Sequence, residues 1–268
     1  MKHLLGIMAF GLIFTGCKNE TGENREETKT EVRQASEKVE KERAEQKIDI
    51  RPVSHATAVI TWDDAVIYLD PVGGAEAFSG MEKPGLVIIT DIHGDHMNAE
   101  TLQALDLENV QIIAPQEVMD ELPEELHEKM LILANGDSEE VMGFEIEAVP
   151  MYNFPEDDPD SRHPKGRGNG YIIEKDDSRF YISGDTEDIP EMRELKDIDI
   201  ALVTMNLPYT MSVEQAADAV LAFKPKQVYP YHYRGQDGLA DVDKFKSLVN
   251  DGDGDIEVVQ LDWYPERD

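Results

Sequence analysis

The stretch LVIITDIHGDHMNAETL, residues 86–102, runs an apolar segment straight into a cluster of ionisable side chains. Leu86 to Thr90 reads as a buried strand, because a short unbroken apolar run suits a strand covered on both faces. Asp91, His93, Asp95 and His96 then fall within six positions. Asn98 follows as an N-cap for a helix over 98–105. Histidine is scarce, seven in 268 residues, so two of them beside two aspartates need a chemical reason. A capped turn explains one aspartate and neither histidine.

Outward from that stretch, residues 49–71 read as strands with a tight turn at Asp63-Asp64, since Ala58, Ile60 and Trp62 alternate with smaller or polar neighbours. VQIIAP (110–115) is another buried strand, followed by a helix through QEVMDELPEELHEKM that Pro123 interrupts. FEIEAV (144–149) leads into a long loop. YIIEK and RFYISG turn at Asp176-Asp177. A helix (190–196), the strand IALVTM, the helix SVEQAADAVLAF and the strand QVYPYHY come next. A short helix near 241–249 and the strand IEVVQLDW close the chain. Trp62 and Trp263 read as strand packing residues. Hairpins followed by alternating helices and strands predict an α/β fold with two packed sheets and helices outside, a four-layer αββα sandwich.

The remaining histidine and aspartate candidates stand after strands or in loops, where a rigid scaffold presents functional groups. His163 lies in SRHPKG, Asp185 in SGDTED, and His232 closes QVYPYHY. Together TDIHGDH, HPKGRGNGYII, RFYISGDTEDIPEM, IDIALVTMNLPYTM and VYPYHY resemble the successive motifs of the metallo-β-lactamase superfamily. The likeness is strongest to the branch of ascorbate-6-phosphate lactonase-like metal-dependent hydrolases, and it spans about residues 50–235. It implies an αββα sandwich and a hydrolase with two divalent metal ions sharing a bridging hydroxide. By that pattern Asp91, His93 and His163 hold one metal. Asp95, His96 and His232 hold the other, and Asp185 bridges them. Asp95 would also orient the nucleophile as the catalytic residue. Zinc suits such ligands, with manganese or iron as alternatives.

Asp91 departs from the family pattern, which has histidine there. A third carboxylate lowers the net charge of the site, so Asp91 is either a ligand or a spectator that leaves one metal. Arg162, Lys165 and Arg167 surround His163. They either grip an anionic group on the substrate or balance the EDDPD run just before them. Tyr209 and Met211 either line the pocket or pack. His55 and Asp70 near strand ends are candidates for hydrogen bonding to a ligand, a structural role being the alternative.

The chain opens MKHLLGIMAFGLIFTGC, with Lys2 ahead of eleven apolar residues, Leu4 to Phe14. That is too short to span a bilayer and fits a signal peptide over 1–16. Cys17, the only cysteine, follows Phe-Thr-Gly in a pattern that resembles a bacterial lipobox. The resemblance implies lipidation of Cys17 and a membrane anchor on an exported cell-envelope protein. Residues 17–47 would be a tether, disordered or a lone charged helix, ahead of a hydrolase domain over 48–268.

Residues 1–47 hold nine acidic and nine basic side chains, so the entire net charge of −32 falls on 48–268. Such a surface repels nucleic acid. The expected partner is therefore a small molecule rather than nucleic acid, with an ester-like bond, whether lactone, phosphodiester or amide, and anionic where the cations around His163 grip it. A non-catalytic lipoprotein that keeps the fold and at most one metal, for binding or assembly, is the rival reading.

Overall fold

The computed structural model describes residues 48–158 and 160–265. The expected signal peptide, Cys17 and the tether lie outside the described residues.

Alternation in the first strands decides how the layers stack. β1 (Ile48–Ser54), β2 (Thr57–Trp62) and β3 (Ala65–Leu69) form an antiparallel meander. β4 (Leu86–Ile88), β5 (Gln111–Ala114) and β6 (Met130–Ile132) extend it as parallel strands, giving a six-stranded sheet in sequence order. Ala58, Ile60, Trp62, Ile67, Leu69, Leu86 and Ile88 point into one core. Their neighbours Val59, Val66, Tyr68, Val87 and Ile89 point into another. Successive side chains on a strand face opposite ways, so this sheet is covered on both sides.

The outer core is closed by three helices: α1 (Ala99–Ala104), α2 (Gln116–Glu121) and α3 (Glu124–His127), which contribute Leu102, Val118, Leu122 and Leu126 around it. Asn98 caps α1, its side chain accepting from the Thr101 amide at 2.7 Å, a contact worth about 1 kcal/mol. Pro123 divides α2 from α3 as expected. The helix expected to run to Met130 stops early, because Met130–Ile132 pairs in parallel with β5. Strand pairing there overrides local propensity.

The second sheet is larger. It contains β7 (Ser138–Val141), β8 (Phe144–Met151), β9 (Gly168–Lys175), β10 (Ser178–Ile182), β11 (Ile200–Thr204) and β12 (Gln227–Tyr231). With β15 (Glu257–Val258) at the far edge, the order is β15-β12-β11-β10-β9-β8-β7. β10, β11, β12 and β15 run parallel. β13 (Arg234–Gly235) and β14 (Gly238–Leu239) make a separate two-residue hairpin. Only Glu257–Val258 of the expected closing strand pairs. Trp263 is fully buried in the irregular segment after it, its ring centroid 5.4 Å from Tyr231.

The inner faces of the two sheets meet in one core, where Trp62 packs against Phe144 and Phe180 with ring centroids 5.3 and 6.3 Å apart. α4 (Pro190–Arg193), α5 (Val213–Phe223) and α6 (Val242–Gly252) add Met192, Ala216, Val220, Phe223, Phe245 and Val249 to the second sheet. Ser212 and Gln215 form a reciprocal capping box at the start of α5. The expected αββα order of layers is therefore the observed one.

One contact between the sheets bears directly on the site. The Asn169 amide of β9 donates to the Thr90 carbonyl, 2.9 Å away, at the end of β4. Gly168 makes this approach possible, since a Cβ there would stand 2.9 Å from that carbonyl oxygen and 2.3 Å from Met151 Cε. Gly168→Ala is expected to destabilise the fold by about 1–3 kcal/mol, read as a lower midpoint in chemical denaturation. An unchanged midpoint would show that the sheets separate freely at this point.

Candidate metal centre

The chemistry-bearing residues gather where parallel strands end. Asp70 follows β3, the 91–96 cluster follows β4, Asp185 follows β10, Asn206 follows β11 and His232 follows β12. Clefts outside the carboxyl ends of parallel strands are where such sheets bind ligands. Two main-chain bonds, His96 N and Met97 N to the His93 carbonyl at 2.9 Å, coil the segment between β4 and α1. That turn aims His93, Asp95 and His96 into one space.

Two sets of donors result. Asp91, His93 and His163 form one triad, and His96, Asp185 and His232 form another, the offered atoms of each lying within 4.8 Å of one another. Asp185 stands between them. Its Oδ2 lies 3.4 Å from both His96 Nε2 and His163 Nε2, and its Oδ1 lies 3.2 Å from His232 Nε2. His96 and His232 face each other through Nε2 at 3.1 Å. Asp91, His96, His163 and His232 are wholly buried, whereas Asp95 keeps 35% of its side chain exposed on the open side.

His55 belongs with this group more closely than hydrogen-bond support would require. With Asp95 and His232 it makes a third triad. Its Nε2 is 3.2 Å from Asp95 Oδ2, and its ring lies 4.0 Å from that of His232.

Each buried imidazole is oriented from behind. His96 Nδ1 meets Asp70 Oδ2 at 2.8 Å, and that carboxylate also accepts from the amide and hydroxyl of Thr90, both at 2.7 Å. His163 is clamped by Asn153, whose Oδ1 accepts from His163 N at 3.1 Å and faces its Nδ1 at 2.9 Å. Asn206 Nδ2 reaches His232 Nδ1 at 3.3 Å. Such partners fix which ring nitrogen faces inward. Asn153, Asn206 and Thr90 escaped the reading of the sequence, because an isolated Asn or Thr in a loop carries no spacing signal.

The electrostatics suit cations. Burial works against a charge on Asp185, but the imidazoles of His232 and His96 hold its carboxyl well below the usual range. Asp95 and Asp91 are likewise held low against burial, by the His55 hydrogen bond and the His93 hydrogen bond respectively and by neighbouring imidazoles. Burial pushes His163 down to about 4, which leaves a neutral ring with a free lone pair. His163 Nε2 is buried without a hydrogen-bond partner, and Asp91 Oδ2 and His93 Nδ1 have only each other. Orphaned buried groups of this kind cost about 1–3 kcal/mol each, and a cation between them would remove that cost. The residues present therefore fit divalent metals.

The loop cations expected at the substrate are placed differently from one another. Lys165 is tied to Glu156 at 2.9 Å and Glu191 at 2.8 Å. Arg167 turns inward, 3.4 Å from Asp91 Oδ1. Arg162 is exposed and lies 4.5 Å over the half-buried ring of Tyr209, while Met211 is fully buried.

Comparison with known proteins places the chain in a family. The family model of a β-lactamase superfamily domain matches residues 49–232. A metal-dependent hydrolase of Thermococcus onnurineus is 30% identical over 76% of this chain and 93% of its own. A structure from Parabacteroides distasonis, described as a metal-dependent hydrolase, is 37% identical and covers 83% of this chain and 96% of its own, with a TM-score of 0.71. Igni18, a metallo hydrolase of Ignicoccus hospitalis, is 24% identical, covers 80% and 94% and reaches a TM-score of 0.66, a likeness of fold. The chain belongs to the β-lactamase superfamily, among its metal-dependent hydrolases.

Proposed function

We propose that the protein cleaves an ester-like bond, in a lactone, phosphodiester or amide, of a small anionic substrate, using two divalent metal ions. The observation that supports this best is the position of Asp185 between the two triads, with both carboxylate oxygens facing imidazole nitrogens. Asp91, His93 and His163 would hold one ion and Asp95, His96 and His232 the other, with Asp185 in reach of both sets. Zinc fits this donor set, with manganese or iron as alternatives. When bound, two such ions acidify a water and stabilise negative charge on the oxygen under attack.

The chain's own residues set the geometry. Asp70, Asn153 and Asn206 hold the imidazoles so that their Nε2 atoms converge. Asp95, the exposed carboxylate of the set, orients the nucleophile toward the open side. No cysteine lies within 48–268, and the chemistry needs no side-chain nucleophile. The likeness to the lactonase-like branch favours a lactone. The N-terminal sequence supports an exported lipoprotein of the cell envelope, anchored in a membrane through Cys17.

A second reading rests on Asp91. Its Oδ1 is engaged by Arg167, and a guanidinium competes with a metal for the same carboxylate. If that competition wins, one ion remains and the protein is a non-catalytic lipoprotein acting in binding or assembly.

Metal content per chain separates the two. Elemental analysis is expected to give two equivalents, falling to one in Asp91→Ala. One equivalent in both proteins would favour the second reading, and none after incubation with zinc, manganese or iron would end both. Asp95→Asn is expected to lower kcat on lactone and ester probes at least about a hundredfold; unchanged turnover would remove Asp95 from the reaction. Asp70→Asn is expected to weaken metal affinity about 10–100-fold, measured by competition with a chelating dye. An unaltered affinity would make Asp70 a purely structural group.

A further inference from the structure

Beside the metal centre an open cleft of about 560 Å³ is walled by His55, Gly94, Asp95, Arg234 and Tyr264. Arg234 is the arginine in that wall. Several other cations are taken up by carboxylates, Lys83 by Asp106, Lys226 by Asp199 and Lys244 by Glu214. The guanidinium of Arg234 is exposed, and among the described residues no carboxylate pairs with it. It lies instead 4.4 Å over the ring of Tyr264. A guanidinium held on an aromatic face keeps its donor edge available to a second partner.

That cation is also tied to the reacting centre. The Arg234 amide donates to Tyr264 Oη at 3.0 Å, and Tyr264 Oη meets His55 Nδ1 at 2.8 Å. His55 Nε2 meets Asp95 Oδ2 at 3.2 Å. The donors are consistent along the whole line. The tyrosine hydroxyl accepts from the Arg234 amide and donates to Nδ1, which leaves the His55 proton on Nε2 facing the carboxylate. Arg234 is thereby held in register with Asp95 through one hydrogen-bonded chain.

We propose that Arg234 is the anchor for an oxyanion on the substrate, a carboxylate or phosphate group, which it grips with its paired N–H donors while the scissile bond lies over Asp95. The proposal rests on the hydrolase reading and names its substrate class: a small molecule carrying an acidic group at a fixed span from an ester-like bond. It moves the anion-binding role from Lys165 and Arg167 to the cleft beside Asp95, while Arg162, exposed over the ring of Tyr209, is the other guanidinium in this posture. Lys165 is already paired with two glutamates and Arg167 with Asp91. Charged hydrogen bonds from a planar fork are directional and favour carboxylate and phosphate over neutral groups. The surrounding negative charge repels anions at long range, so only a ligand that reaches this one contact gains from its own charge.

The test compares two lactone probes that differ only in a carboxylate, using the metal-loaded full chain. Arg234→Gln is expected to raise KM for the carboxylated probe about tenfold or more, with the neutral probe held within about twofold and Arg234→Lys intermediate. Equal effects on both probes, or none on either, would overturn the assignment. Calorimetric titration of the same proteins with inorganic phosphate supplies a readout that needs no turnover. Affinity is expected to fall about tenfold in Arg234→Gln and to stay unchanged in Lys244→Gln, on α6. Phosphate binding that is absent from the wild type, or equal in Arg234→Gln, overturns the anchor whatever the hydrolysis result. A loss of phosphate affinity in a protein that cleaves neither probe keeps the anchor and removes the hydrolase reading.

Discussion

Thr90 is where the structure is fastened. Its carbonyl accepts from Asn169 of the opposite sheet, while its amide and hydroxyl both donate to Asp70 at the end of the neighbouring strand. Asp70 in turn holds His96. One residue at a strand end therefore joins the two sheets and sets the orientation of a central imidazole. The bonds are all buried, where an unmade one costs far more than a made one gains. Neither sheet can shift against the other without disturbing the donors of the metal centre.

The same economy governs charge. Asp91, Asp95 and Asp185 bring three carboxylates to one site, and Asp91 is wholly buried. Burial of an ion is tolerated only when it is paired and hydrogen-bonded. Arg167 supplies part of that pairing on Asp91 Oδ1, which leaves Oδ2 for the space shared with His93 and His163. The two oxygens of one side chain thus face two kinds of cation. This division explains how a carboxylate can stand where the family pattern has histidine without leaving an uncompensated charge.

Much of this was legible from the sequence, and for identifiable reasons. Period-two alternation placed Ala58, Ile60 and Trp62 on the face that proves to lie between the sheets. Asp63-Asp64 and Asp176-Asp177 marked hairpin turns, and Asn98 marked a helix start. The ligand-like residues were legible only as a set, through a family likeness, since His163 or His232 alone could have been an ordinary loop or core histidine. What escaped was assembled by contacts distant along the chain. His55 meets Tyr264 across 209 positions, and Asn135 meets Asn169 across 34. No local pattern encodes such meetings. The strand expected over IEVVQLDW stops short for a related reason: after Val259 N bonds the Val228 carbonyl the segment leaves β12, and Trp263 packs against Tyr231, so β propensity alone did not extend it.

Backbone conformation shows how the site is maintained. His55, Asp70 and His232 all take left-handed conformations, with φ of 56°, 44° and 47°. Most side chains avoid that region at a cost of about 1–2 kcal/mol per residue. Asp63, Asp176 and Asp177 do so as well, but these stand in surface hairpins where a short polar side chain eases the turn. Of the three site residues, His55 stands in the two-residue turn between β1 and β2, and Asp70 and His232 end buried strands. Their strain is offset by what the turn accomplishes. A left-handed residue at the end of a strand swings the side chain out of the strand's alternation and into the shared space. His232 is thereby brought within 3.2 Å of Asp185, and His55 within 3.2 Å of Asp95. A right-handed or extended residue at either place would leave the ring on one face of its own sheet, and the triads would lose a corner.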